Sequence, residues 1–121
     1  MRTIEFRGKR IDGEGWVYGY VDATMYKDIV VIHTETGTFG VDPETIGQFT
    51  GLYDCKEREI YEGDLLGSQV SNHYLEVRFI DGMFRLCGLD DATGFGSIPA
   101  CYLMNKNNLV IEVVDNIHDN K

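Results

Sequence analysis

The stretch that most constrains this chain is "LEVRFIDGMFRLCG", Leu75 to Gly88. Asp-Gly is a favoured pair for the tight type I′ turn, and the hydrophobes on either side of it alternate. A two-residue loop at Asp81-Gly82 sets the register. Ile80 faces Met83, Phe79 faces Phe84, Arg78 faces Arg85 and Val77 faces Leu86. Cross-strand partners share a face of the sheet, so Val77, Phe79, Phe84 and Leu86 form one apolar patch. The other face sets Arg78 against Arg85, a repulsion on the order of a few tenths of a kcal/mol. Glu76, diagonal to Arg85, is the acidic neighbour expected to offset it.

The same period of two runs through the rest of the sequence. "WVYGYV" puts Trp16, Tyr18 and Tyr20 on one face. "DIVVIHT" is apolar on both faces from Ile29 to Ile32 and rich in β-branched residues, which reads as a buried strand. "ETG", Glu35 to Gly37, turns it into "TFGV" as a hairpin. In "VDPETIGQ", Asp42 suits a helix N-cap, Pro43 the first helical position and Glu44 the positive helix end, and Gly47 stops the helix after one turn.

"SNHY" and "GLDDATGFGS" read as polar loops. Pro99 bars a longer helix from entering "IPACYLM", which is left extended or as a single helical turn. "LVIEVV" reads as a final strand with Leu109, Ile111 and Val113 inward, followed by a loosely held polar tail, "DNIHDNK". Fourteen glycines against two prolines fit many tight turns between short strands. From Gly63 to Val114 the order of strand, long hairpin, helical turn and strand predicts a small SH3-like barrel. The expected fold is therefore a single, mostly β domain over residues 1–121. A barrel-like C-terminal half, about 51–121, packs on an N-terminal β lobe, about 1–50, with one or two short helical turns.

A net charge of −9 opposes direct binding to nucleic-acid phosphates or to an anionic membrane. It leaves open an acidic decoy that occupies a nucleic-acid-binding partner. Cys55, Cys87 and Cys101 are odd in number and contain no Cys-x-x-Cys pair, which fits reduced thiols rather than a disulfide framework. "MRTIEFRGKR" lacks the apolar run of a signal peptide, and no run of about 18 apolar residues occurs. The expectation is a soluble cytoplasmic protein.

Chemistry-bearing residues are scattered. In "YDCKEREIYEGD" the residues Asp54 to Arg58 read as a charged, flexible turn. Cys55 has Lys56 beside it but also Asp54 and Glu57, and no helix N-terminus to make it reactive. A thiol nucleophile needs a histidine base, and His33, His73 and His118 lie in a strand pattern, a loop and the tail. "GLDDATG" and "EGD" match no calcium loop, and there is neither a Walker loop nor a G-x-G-x-x-G. Trp16, Tyr18 and Tyr20 could form a ligand-stacking platform, but packing, as core or as an oligomer contact, is the expectation for a small β domain.

These segments resemble the YopX family of small phage and prophage proteins. "FRGKRID" and "WVYGYV" are similar to that family's opening, and "VVDNIHDN" to its closing strand. "VDPETIGQFTGLYD" with "EIYEGDLL" resembles its central signature, in which Thr50, Gly51, Leu52, Asp54, Ile60, Tyr61, Glu62, Gly63 and Asp64 fall in register. Two departures stand out: Lys56-Glu57 where members carry an Asn-Gly-like turn, and Asp115 where glycine is usual. The resemblance implies a mostly β fold, a phage or prophage origin and possible oligomers. It implies no reaction, so the signature is read as structural. Gly63-Asp64 is read as a strand-entry turn, the glycine giving an unusual backbone angle and the aspartate bonding nearby amides.

The expected function is a non-enzymatic accessory protein acting through protein contacts, as a homo-oligomer and with a host protein as a further partner. No catalytic, cofactor or metal residue is assigned. The alternatives are the acidic decoy and a small-ligand or enzymatic barrel using Cys101 or a carboxylate pair.

Overall fold

The computed structural model describes residues 4–22, 29–68, 71–88, 98–99 and 111–119. The strands are β1 (Phe6–Lys9), β2 (Trp16–Asp22), β3 (Val30–Thr34), β4 (Gly37–Val41), β5 (Gly47–Tyr53), β6 (Glu59–Tyr61), β7 (Asp64–Ser68), β8 (Ser71–Ile80), β9 (Met83–Gly88), β10 (Ile98–Pro99) and β11 (Ile111–Asn116). Between β4 and β5 lies a single 3-10 turn, Pro43–Thr45, in which the Asp42 carboxylate accepts the Glu44 backbone N–H. That is the capped turn foreseen in "VDPETIGQ".

The chain divides into two compact units, Met1–Phe49 and Thr50–Lys121. In the first, the antiparallel strands lie in the order β4, β3, β2, β1, β5. The expected β3–β4 hairpin forms, but its turn is only Glu35 and Thr36: Gly37 is already in β4 and pairs with Thr34, and Thr38 pairs with His33. Val31, Ile32, Val41 and Phe49 are buried here. Each such side chain removed from water contributes roughly 1.5–3 kcal/mol. The sheet curls far enough for Arg10 to bridge Val41, and the Ile11 N–H donates to the Gly40 carbonyl.

In the second unit β6 flanks β5, and a separate antiparallel sheet runs β10, β9, β8, β7, β11. Its centre is the β8–β9 hairpin with the foreseen register throughout, Ile80–Met83 to Val77–Leu86. Asp81 and Gly82 both have positive φ, +52° and +82°, as a type I′ turn demands. Ile60, Leu66, Val77 and Leu86 form the core, with Leu52, Phe84, Ile111 and Val113 packed against it. Phe79 meets Phe84 edge to face at 5.0 Å.

Several expectations are corrected. No closed barrel forms among the described residues: β10 and β11 are the two edges of an open sheet. Side-chain alternation dictates which strands pair, but closure depends on strand tilt and stagger, which alternation does not encode. Glu76 does supply the charge expected to offset the Arg78–Arg85 pair, and it does so by bonding Arg78, two residues along its own strand, at 3.2 Å. Positions two apart share a face of the same strand. "SNHY" is not a loop but the start of the ten-residue β8. The described part of the tail, to Asp119, is not loose: Asn116 is buried, its Oδ1 accepts the N–H groups of His118 and Asp119, and the Ile117 N–H donates to the Gly63 carbonyl. Ile98 and Pro99 are extended against Leu86 and Arg85. The remainder of "IPACYLM", Cys101, Leu109 and the "LDDATGFGS" loop lie outside the described residues.

Candidate functional site

The signature residues all fall in the second unit. The Thr50 hydroxyl donates to the Ile60 carbonyl at 2.8 Å, tying β5 to β6. Leu52 packs on the core that contains Ile60. The Asp64 side chain, in a residue only 1% exposed, accepts the Tyr61 N–H at 2.8 Å and so closes the Tyr61–Glu62–Gly63–Asp64 turn. Gly63 has φ +93°, a left-handed conformation, and the Ile117 and His118 side chains lie over it. Gly51 is also left-handed, at φ +84°.

Asp54 is the most heavily used of these residues. Its Oδ1 accepts the N–H groups of Lys56 and Arg58 at 2.9 and 2.8 Å, and its Oδ2 accepts Arg58 Nε at 3.1 Å and the Val113 N–H at 2.9 Å. Burial pushes its carboxyl up, but the backbone donors of Val113, Arg58 and Lys56, with the Arg58 guanidinium, outweigh it and hold the group below the usual aspartate range. The stretch from Asp54 to Arg58 is therefore a tightly bonded turn, not a flexible one. Glu112 extends it, with one carboxylate oxygen 3.1 Å from Lys56 Nζ and 3.4 Å from Arg58 Nη2. Cys55 is half-buried and its N–H donates to Ile111; Cys87 is fully buried in the core. This constellation holds backbone together.

A different arrangement occupies the first unit. Strand pairing sets Tyr20 opposite His33 and His33 opposite Thr38. The Tyr20 and His33 rings sit 5.3 Å apart, tilted by 38°. One imidazole nitrogen, Nδ1, is 2.8 Å from the Thr38 hydroxyl, and the other, Nε2, is 3.2 Å from Asp22 Oδ2. Gly19 permits this closeness: a Cβ there would lie 2.0 Å from the His33 carbonyl oxygen. Beside the imidazole is a groove of about 640 Å³ lined by Ile4, Glu5, Tyr18, Tyr20, His33 and Glu35, among others.

The aromatic face was expected to be packed. Trp16 is half-buried beneath the Arg7 guanidinium at 4.6 Å, but Tyr18 and Tyr20 are 45% and 65% exposed. A strand in a curled sheet keeps one side chain in every two on its outer face, and nothing in the alternation reveals which face is covered.

Hydroxyl, imidazole and carboxylate in a row have the form of a nucleophile, a base and the group that orients it. Acyl transfer also needs preorganised donors for an oxyanion. The nearest turn directs its donors elsewhere: the N–H groups of Thr36 and Gly37 both donate to Thr34 Oγ1. Among the described residues no group of three His, Cys, Asp or Glu side chains could hold a metal ion. No helix there is long and apolar enough to cross a membrane.

Sequence reasoning placed His33 in a strand but did not join it to Thr38 and Asp22. The turn is the two residues Glu35 and Thr36, with Gly37 already in β4, and it is this shorter turn that sets His33 opposite Thr38; a turn of Glu35 to Gly37 would have set it opposite Phe39. A family model described as YopX protein matches residues 6–121, nearly the whole chain. No curated protein matches it.

Proposed function

Since this chain belongs to the YopX family, we propose that it is a non-enzymatic accessory protein of phage or prophage type that works by protein contact. The observation that carries this reading is the pair of solvent-facing tyrosines, Tyr18 and Tyr20, on an ordered strand beside the groove. Tyrosine on a rigid strand presents a large amphipathic surface at low entropic cost, which is why it is enriched at interfaces. The consumed amides of the Thr34–Gly37 turn support contact over catalysis at the same place. The signature residues serve as scaffold in this reading.

Affinity capture from a lysate of the encoding organism tests it, run in parallel with wild type and with a Tyr18→Ser/Tyr20→Ser double variant of unchanged circular dichroism. The reading expects a partner band that the variant loses; identical capture by both proteins contradicts it. Self-association belongs to the same proposal. Phe79, half exposed at the tip of the β8–β9 hairpin, is a second aromatic surface suited to it. Light scattering of wild type against Phe79→Ser measures it directly. A monomer at micromolar concentration removes that part.

A further inference from the structure

We infer that the Tyr18–Tyr20 groove takes an arginine side chain from an extended basic segment of a partner protein. This rests on the contact reading above and specifies its chemistry. Three features of the groove point to a cation. Its described lining carries two carboxylates, Glu5 and Glu35, and neither lysine nor arginine. Tyr20 is 65% exposed, with its contact to His33 tilted rather than stacked flat, and an aromatic face attracts a cation within about 6 Å. The net charge of −9 draws basic partners from a distance and speeds their encounter.

The choice of arginine over lysine follows from shape. A guanidinium is planar, less strongly hydrated than an ammonium, and able to stack on a ring while bonding a carboxylate through two N–H groups. The same sheet uses this contact internally: Arg7 lies over Trp16 at 4.6 Å and Arg10 over Phe39 at 4.5 Å. At Tyr20 the aromatic face and a neighbouring carboxylate, Glu35, belong to the groove, and the guanidinium would come from outside.

The test uses the full chain labelled with ¹⁵N and two acetylated, amidated octapeptides of glycine and serine. One carries a central Ala-Arg-Leu, and its twin carries citrulline, the neutral isostere, in place of arginine. The arginine peptide is expected to shift the amide resonances of Tyr18 to Tyr20 and His33 to Thr36, and the twin to bind at least about tenfold more weakly, the loss of one well-placed charged contact. Tyr20→Leu and Glu35→Gln should each weaken the arginine peptide by about two- to fivefold, in line with cation–π and exposed ion-pair contributions. Both variants should keep the wild-type melting temperature. Equal binding of the twin, shifts confined to the second unit, or no shift at about 1 mM peptide overturns the inference. If partner capture depends on Tyr18 and Tyr20 while the arginine peptide fails to bind, the contact face stands and only its arginine chemistry falls.

Discussion

The Asp54 carboxylate accepts the backbone N–H of Val113 at 2.9 Å, across 59 positions of sequence. With the Lys56 and Arg58 amides on its other oxygen, one buried aspartate both closes the β5–β6 turn and clips β11 to it. Replacing Asp54 by asparagine puts a donor where at least one of these acceptors stood. It should cost about 3 kcal/mol, the usual range when a buried, charge-assisted network loses one partner. Urea unfolding at neutral pH measures it.

The same residue predicts a pH dependence. Its carboxyl sits below the ordinary value of 3.8 in the folded chain, so the unfolded chain takes up the proton first. The stabilisation is therefore complete above that value and is lost as pH falls through the folded one. Wild type should lose stability on acidification more steeply than Asp54→Asn, and the two urea midpoints should converge at the acid end. Parallel curves would show that the carboxylate is not the group responsible.

Glu57 has φ +63°, left-handed without being glycine. It stands in the Asp54–Arg58 turn, beside Lys56. A side chain there costs roughly 1–2 kcal/mol, and glycine returns part of that gain as unfolded-state entropy. Glu57→Gly should therefore raise stability by about 0.5–1 kcal/mol, seen as an increase in urea midpoint without a change in slope.

Gly19 admits no side chain, since a Cβ would meet the His33 carbonyl oxygen at 2.0 Å. The obstacle is backbone, which cannot rotate aside. Gly19→Ala should destabilise the first unit by about 3 kcal/mol or more. Trp16 is the chain's one tryptophan and pairs with Lys9 in that unit's sheet, so its fluorescence reports the loss.

Removing residues 117–121 deletes the Ile117 to Gly63 hydrogen bond and the donors that satisfy Asn116 Oδ1. A cost of about 1–2 kcal/mol is expected, a few modest hydrogen bonds around one buried amide side chain. Hydrogen exchange should show the Ile117 amide protected in the intact chain.

What could be read in the sequence was local. Asp81-Gly82 announced its own turn, and the register from Ile80–Met83 to Val77–Leu86 followed by counting. Asp42-Pro43-Glu44 likewise declared a capped turn. What could not be read was whatever depends on partners far along the chain. Nothing near Asp54 shows that Val113 will complete it, so a bonded turn looked flexible. Nothing in "DNIHDNK" shows that Gly63 leaves room for Ile117 and His118. Whether Tyr18 and Tyr20 were core or an oligomer contact could not be read, because alternation shows that two faces exist, not which one is covered.

Hydrogen exchange on the captured complex locates the contact most directly. Bound and free chains are compared peptide by peptide after equal labelling times. Slowed exchange at Tyr18 to Tyr20 and His33 to Thr36, with the Phe49–Leu66 segment unchanged, is the predicted result. Protection centred on Phe49–Leu66, with the tyrosine strand exchanging as in the free chain, would make the signature the working surface and contradict the scaffold reading.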